Sequence, residues 1–384
     1  MFRFTLFLFL IPIIFFAQEN EEIVGKVKQV KQKIVYLIEQ PKEGDNNFSF
    51  VNLYSEYGEF GINDPKFERL QFNKNWTRTF SKPYQNFVAN YDLNGKIKNE
   101  TWYYTDKSLA RKFEYLYNEK DSLIQFKKIK KNGRFITYNR SFNYDDKLNS
   151  EFFLKSDEPN YTAINFYKYD SNNNVIKIEK YDSEMGYQNS TIYKYNKSNK
   201  QILESRHIPN FFLKNENNTI SPINDSIGTT YIIKKKIYDN LNNLIEEQLY
   251  PLGEYFELNK IISRIQFKYD SNNNIIEKNY VEADSVTIRR TEQYFYNDKK
   301  QLIREIRINN STYKTTDDAR DYEERNYFYD NERLIKLIYK NKVETKTITF
   351  AYKFDKRGNW MKQTKSVDGK PLYIWKRKIE YYKE

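Results

Sequence analysis

Aromatic and aliphatic side chains alternate with polar ones along most of the chain, in short stretches that end at a tyrosine or phenylalanine. Phe113, Tyr115 and Tyr117 form one such series, and Tyr327 and Tyr329 form another. A period of two that uses aromatic and β-branched residues indicates strands with one apolar face. Each series is followed by Asp or Asn, and then by an aliphatic residue that begins a new alternating stretch. The pattern therefore predicts β-hairpins.

We call the aromatic residue at the end of each first strand its anchor. Most successive anchors lie 25 to 27 residues apart. The longer gaps contain polar inserts, at 206–230, 250–260 and 309–324, and such inserts predict loops. The ten anchors are Tyr91, Tyr117, Tyr144, Tyr169, Tyr195, Tyr238, Tyr269, Tyr296, Tyr329 and Phe354.

The segment YDSNNN occurs at two of the anchors. An Asp after the anchor can accept a hydrogen bond from the backbone N–H two residues on, which forms an Asx-turn. Asn and Gly at the fourth and fifth positions tolerate a positive φ. Gly95 and Gly358 stand where the duplicated copies have Asn173 and Asn273, which predicts a backbone role for the fifth position. DSNNN also matches the start of an EF-hand loop, but the Gly and Glu that such a loop needs are absent. We favour the scaffold interpretation.

These units resemble the YD-repeat family, the Rhs-type repeats of secreted and surface bacterial proteins. Their unit opens Tyr-Asp-x-x-Gly and continues with an aliphatic pair. The best matches begin at Tyr91 (YDLNG) and at Phe354 (FDKRGNW), and the likeness covers roughly 84–384. The resemblance implies hairpins in a long, curling antiparallel sheet. In large members this sheet encloses a toxic domain, but the array here is too short for that role, and we expect no effector domain after it. The chain is also similar to uncharacterised exported repeat proteins of Bacteroidetes.

The expected fold is all-β, with repeated antiparallel β-hairpins that form a long, twisted or curled meander sheet of about twenty strands. Sheets of more than about ten strands curl, split or pack on themselves. The segment 18–83 lacks the anchor pattern, and we expect it to be a β-rich cap on the edge of the array 84–384. The tyrosine rings are expected to pack while their hydroxyls stay in solvent.

Near the end of the chain, Asp368-Gly369 predicts a two-residue hairpin turn. Counting back from that turn places Lys362 opposite Trp375, and Trp360 opposite Arg377. Both pairs would be cation–π contacts.

The first 17 residues read as a signal peptide: Arg3, then an apolar run, then Ala17 before the cut. No later segment is apolar for long enough to span a bilayer as a helix. The chain has no cysteine, which excludes disulfides, thiolate metal sites and lipoprotein anchoring. The formal charge is +12, but acidic and basic residues are interspersed, so we do not expect nucleic acid as a partner.

Catalytic motifs are absent from the sequence, and no catalytic, metal or cofactor residues are assigned. The single histidine, His207, lies in an insert and is interpreted as a surface residue of a loop. Paired carboxylates are too numerous for any pair to stand out. An outer-membrane barrel is disfavoured because charged residues interrupt the apolar face of the strands; these are Arg111, Arg264, Arg290 and Arg325.

The predicted function is that of an exported, non-catalytic β-repeat protein that binds or scaffolds at the cell envelope, in the periplasm, at the surface or in the medium. Its partner would be an envelope protein or a glycan. The alternatives are a glycan-binding or glycan-acting secreted protein, and an accessory of a contact-dependent toxin or secretion system. The residues best suited to stack on a sugar are Trp360, Trp375, Trp76 and Trp102.

Overall fold

The computed structural model describes residues 23–37, 86–103, 107–143, 147–156, 158–183, 186–209, 228–251, 260–310 and 321–383. Within these ranges the chain forms 22 β-strands and no helix. No helix in this part of the chain is long and apolar enough to cross a bilayer. The proposed signal segment 1–17 and Trp76 lie outside the described residues. The strands are β1 Val27–Tyr36, β2 Asn86–Tyr91, β3 Ile97–Tyr103, β4 Leu109–Tyr117, β5 Leu123–Lys130, β6 Phe135–Phe142, β7 Leu148–Lys155, β8 Glu158–Tyr169, β9 Val175–Asp182, β10 Gly186–Tyr195, β11 Gln201–Pro209, β12 Gly228–Tyr238, β13 Leu244–Leu249, β14 Ser263–Tyr269, β15 Ile275–Glu282, β16 Ile288–Tyr296, β17 Leu302–Asn309, β18 Tyr322–Asp330, β19 Arg333–Asn341, β20 Thr345–Phe354, β21 Trp360–Val367 and β22 Lys370–Tyr381.

The sheet closes on itself. Consecutive strands from β2 to β22 pair antiparallel, and β1 pairs with both β22 and β2. Val30 of β1 lies opposite Ile379 on one side and opposite Ala89 on the other. The prediction of repeated antiparallel hairpins in an all-β fold is confirmed, but the sheet is a closed barrel rather than an open meander. The strand that closes it belongs to the segment 18–83, which carries no anchor motif, and closure removes both free edges.

The two faces of the barrel wall differ in exposure. Cross-strand partners share a face, so the register places Leu337, Ile348 and Val367 together on one face, where all three are buried. The other face carries large exposed side chains such as Phe295 and Phe328. We call the face that carries these buried apolar side chains the inner face and the opposite one the outer face. Two apolar clusters line the inner face: Val27, Val30, Phe87, Ala89, Ile97, Trp102, Ala110, Phe113, Tyr115, Leu123, Phe126 and Ile379 in one, and Tyr294, Leu302, Tyr327, Leu337, Ile348, Phe350 and Val367 in the other.

The two rims of the barrel also differ. Because the strands alternate in direction, every loop that follows an anchor lies at one rim, which we call the anchor rim. All other connections begin and end at the opposite rim, which we call the insert rim. The insert rim therefore receives all three predicted inserts and the connection between β1 and β2.

The loops of the anchor rim have the predicted Asx geometry. The Oδ1 atom of Asp170 accepts hydrogen bonds from the backbone N–H groups of Asn172 and Asn174, each at 2.9 Å, and Asn173 has φ 67°. The Oδ2 atom of Asp170 accepts from the Asn174 side chain at 3.0 Å, so both carboxylate oxygens already have partners. Positive φ recurs at the fifth position in Gly95, Asp121, Asn173, Asn199, Asn242, Asn273, Lys300 and Gly358.

Eight of the predicted anchors end a strand, and β18 continues one residue beyond Tyr329. The prediction that Tyr144 is an anchor is wrong. Strand β6 ends at Phe142, which lies opposite Leu148 as the other anchors lie opposite their return strands. Asn143 then accepts the loop hydrogen bond from the Lys147 backbone, and Tyr144 lies outside the described residues. The segment FNYDD offers two overlapping anchor pairs, and the strand alternation decides in favour of the first.

The final hairpin forms at Asp368, but its register differs from the predicted one. A β-bulge just beyond the turn shifts the pairing by one residue, so Gln363 rather than Lys362 lies opposite Trp375. Lys362 lies opposite Lys376 instead.

Candidate functional site

The anchor tyrosines tie neighbouring hairpins together. The Tyr169 hydroxyl donates to the backbone carbonyl of Leu148 at 2.9 Å, and the Tyr296 hydroxyl donates to that of Ile275 at 3.0 Å. In each case the acceptor is the first residue of the preceding return strand. These hydroxyls donate to backbone carbonyls. The prediction that they stay in solvent is therefore wrong for these tyrosines. The same bond joins Tyr195 to Val175, Tyr238 to Gln201, Tyr269 to Leu244 and Tyr329 to Leu302.

A second set of bonds links neighbouring loops of the anchor rim. The side chain at the sixth position of a loop reaches the residue of positive φ in the next loop. Lys96 Nζ lies 2.8 Å from the carbonyl oxygen of Asp121 and 2.6 Å from its carboxylate. Asn174 donates to Asn199 at 3.2 Å. Many polar groups of the anchor rim therefore form hydrogen bonds with other groups of the same rim. A further bond of this kind joins Gln301 to Asn331.

The densest cluster of ionisable side chains lies on the inner face of β16 to β18, where arginine and glutamate alternate. The Glu292 carboxylate forms ion pairs with Arg290, whose Nε atom lies 3.3 Å away, and with Arg307, whose Nε atom lies 3.2 Å away. Arg307 also lies 3.9 Å from Glu305 and 3.6 Å from Glu323. We call this cluster, with Arg325, the Arg–Glu ladder.

Arg325 and two tyrosines complete the ladder. Arg325 lies 2.9 Å from Glu323 and 3.6 Å from Glu305. The Tyr327 hydroxyl donates to Glu305 at 2.8 Å, and the Tyr294 hydroxyl donates to Glu292 at 2.7 Å.

The ladder holds Glu292 in its ionised form. Burial disfavours that form, but the hydrogen bond from Tyr294 and the charges of Arg307 and Arg290 outweigh burial and lower the pKa of Glu292. Burial and the neighbouring Glu292 carboxylate raise the pKa of Tyr294. Tyr294 therefore stays a hydrogen-bond donor at neutral pH.

The carboxyl groups of the described residues share one direction of pKa shift. In the described part of the chain, every carboxyl group whose pKa shifts has its pKa lowered. These groups are Asp170, Glu179, Asp239, Glu246, Asp270, Glu277, Asp284, Glu292, Glu324, Asp355 and Asp368.

Three of the four tryptophans predicted to stack on sugars lie on the inner face near the closing seam. Trp360, Trp102 and Trp375 expose 8%, 5% and 2% of their surface. Trp360 meets Trp375 edge to face at a centroid distance of 6.4 Å. Arg377 lies over Trp360 at 3.7 Å, so this predicted cation–π contact is present. Trp102 stacks on Phe87 at 4.9 Å.

The most exposed aromatic rings of the described residues are phenylalanines, and three of the four were not among the predicted anchors or site residues. Phe295 and Phe328 stand one residue before an anchor, so the alternation that turns the anchor inward turns them outward. The pattern itself could have identified them. The most exposed rings are Phe166, Phe295, Phe328 and Phe354.

His207 lies on a strand and not in a loop. Strand β11 extends to Pro209, beyond the predicted start of the insert, because residues 205–209 pair with β12. The Nδ1 atom of His207 is 3.0 Å from the Thr230 hydroxyl. On its other side, His207 lies opposite Ser190.

Comparisons with known proteins leave the family open. No family model and no curated protein matches the chain. Among solved structures, the Tc holotoxin pore of Photorhabdus luminescens is 12% identical, with a TM-score of 0.35, and the match covers 89% of this chain but only 17% of the toxin chain. A porin-like protein from Bacteroides uniformis is 10% identical, with coverage of 92% and 96% and a TM-score of 0.22. One from Bacteroides vulgatus is 13% identical, with coverage of 78% and 94% and a TM-score of 0.19. These scores are too low to carry an argument, and the YD-repeat resemblance stays a prediction.

Proposed function

We propose that the protein is an exported, non-catalytic β-barrel of the cell envelope that works by binding a partner at its insert rim. The observation that carries this proposal is the contrast between the two rims. The anchor rim bonds to itself through Asx-turns, tyrosine hydroxyls and loop-to-loop side chains. The insert rim receives every long connection, and binding residues concentrate on loops held by a rigid scaffold.

Two further observations support a binding role. The carboxylates of the Arg–Glu ladder are paired with arginines, and the lowered pKa of Glu292 fits a structural part of the wall. Of the four arginines first held against an outer-membrane barrel, Arg290 and Arg325 face inward and no longer support that argument. The outer face of β20 to β22 still disfavours contact with lipid, because it carries lysines and threonines where a lipid-facing barrel needs an apolar band.

The native chain contains no cysteine, so a single introduced cysteine gives one defined attachment point for a photo-crosslinker. Val286→Cys and Val343→Cys place the probe in short exposed loops of the insert rim. Leu93→Cys and Leu241→Cys are matched controls, equally exposed but on the anchor rim.

After irradiation of intact cells, we expect a discrete cross-linked species from the insert-rim variants and little from the controls. Equal cross-linking from both rims, or cross-linking from the anchor rim alone, contradicts the proposal. Fractionation of the same cells tests export, which requires the protein in the periplasm, outer membrane or medium. Recovery in the cytoplasm would reject an envelope role.

A further inference from the structure

We propose that a patch of lysines on the outer face of the closing seam binds an acidic polysaccharide. The inference rests on the proposed exported, binding role and adds a second surface, distinct from the insert rim. The patch consists of Lys31, Lys33, Lys353, Lys362, Lys376 and Lys378, on β1, β20, β21 and β22.

Four of these lysines form one line across four adjacent strands. The register places Lys353 opposite Lys362, Lys362 opposite Lys376, and Lys376 opposite Lys33. Neighbouring strands are about 4.8 Å apart, so the line presents four like charges at the spacing of the sheet. A second line places Lys31 opposite Lys378.

The patch has almost no compensating negative charge. Lys378 lies 4.0 Å from Glu380, and among the described residues none of the other five forms an ion pair. Elsewhere on the outer face the same kind of position is neutralised. Lys168 lies 3.0 Å from Glu179 on the next strand, and Lys268 lies 2.8 Å from Glu277.

Like charges directly opposite each other destabilise a sheet. Lys168 and Lys177 also lie opposite each other, but Glu179 pairs with both of them. The two lines at the seam have only Glu380, near Lys378, which marks a place where the arrangement serves something other than stability. The missing partner is a ligand with several negative charges.

The surroundings favour a polysaccharide over a membrane or a compact phosphate site. Next to the line on the insert-rim side lie the hydroxyl side chains of Thr349, Thr364 and Ser366, which suit sugar hydroxyls and carboxylates. A membrane surface would need apolar side chains to insert, and this patch offers ammonium and hydroxyl groups. A lysine ammonium group does not impose the planar, bidentate hydrogen-bond geometry of an arginine. Lysines therefore suit negative charges that are spread along a flexible chain.

The test uses the purified full chain and polygalacturonate, an uncharged dextran of similar length, and vesicles of phosphatidylglycerol. We expect polygalacturonate to bind with an affinity that falls as salt rises, because contacts between opposite charges release counterions. The double variant Lys362→Gln/Lys376→Gln should bind roughly tenfold more weakly, and its salt dependence should be shallower by about one unit of slope for each lysine. The matched control Lys168→Gln/Lys268→Gln removes the same charge from the same face and should bind within about twofold of the native chain.

Equal losses in the two double variants would show attraction to the overall charge and overturn the proposal. Binding to dextran as tight as to polygalacturonate would also overturn it, as would binding to the vesicles without binding to polygalacturonate. These measurements need no cells. If the chain binds polygalacturonate but stays in the cytoplasm, the export on which the proposed function depends is refuted. If the chain is exported but does not bind polygalacturonate, only the proposed lysine patch is refuted.

Discussion

Lys365 offers the sharpest test of the barrel interior. It lies on the inner face of β21, opposite Phe350 of β20, and is fully buried. Burial lowers the pKa of its ammonium group from 10.5 to about 7. In the unfolded chain the ordinary value applies, so between these two pH values the unfolded state binds more protons than the folded state. The penalty that Lys365 imposes on stability must therefore shrink as the pH increases from 7 towards 10.5.

The size of the effect follows from that shift. Burial of this amine lowers the free energy of unfolding by roughly 4 kcal/mol at pH 7 and by roughly 2 kcal/mol at pH 9. Lys365→Met keeps a flexible side chain of similar length and removes the titrating group. The variant should be more stable than the native chain at pH 7, by up to this amount, and the advantage should shrink by roughly 2 kcal/mol at pH 9.

Urea unfolding followed by tryptophan fluorescence at pH 7, 8 and 9 measures this difference. Comparison of variant with native chain at each pH cancels the titration of all other groups. Lys340→Met, on the exposed outer face of β19, is the control and should change stability by less than about 0.5 kcal/mol at every pH. If the Lys365→Met difference is the same at pH 7 and pH 9, the amine does not titrate as its burial requires and the reasoning fails.

The scaffold gives three further predictions, all measured by urea unfolding. Asn173→Ala should cost about 1 kcal/mol because alanine resists the positive φ, whereas Asn173→Gly should cost little; equal costs would point to the lost side chain instead. Tyr296→Phe should lose about 1 kcal/mol with the hydrogen bond to Ile275, and an unchanged midpoint would show that this bond is not needed. Glu305→Gln removes one of the two carboxylates near Arg325 and the charged acceptor of the Tyr327 hydroxyl, and should cost about 2 kcal/mol; a neutral outcome would mean that solvent replaces the carboxylate.

Local structure was largely predictable because the physics that sets it is local. The alternation leading to Tyr296 predicted β16, and the Asx residue after the anchor predicted the loop. Closure was not predictable, since β1 carries no anchor and its pairing with β22 joins the two ends of the array. The register of the last hairpin failed at one β-bulge, which moved Gln363 to the place predicted for Lys362.

The candidate sites were also hard to predict wherever they depend on pairing between distant strands. Trp360 and Trp375 were proposed for sugar stacking from residue type alone, and the sequence holds no direct sign of which face lies inside a barrel. Glu292 and Arg307 meet because two strands pair in one register, so a ladder of this kind becomes visible only when the register is known. Chemistry inside the wall is largely shielded, and the surfaces left for recognition are the insert rim and the outer face.

The lysine patch connects recognition with closure. Lys33 belongs to the first strand and Lys376 to the last, so the line of like charges exists only when the barrel is closed. Repulsion across the seam favours opening, and an anionic ligand that spans the seam removes that repulsion. Such a ligand binds the closed form more tightly than the open one, and by mass action it must stabilise the closed form as its concentration rises above the dissociation constant. The strand pairing that seals the barrel would thus be weakest without the partner and strongest when the partner is bound.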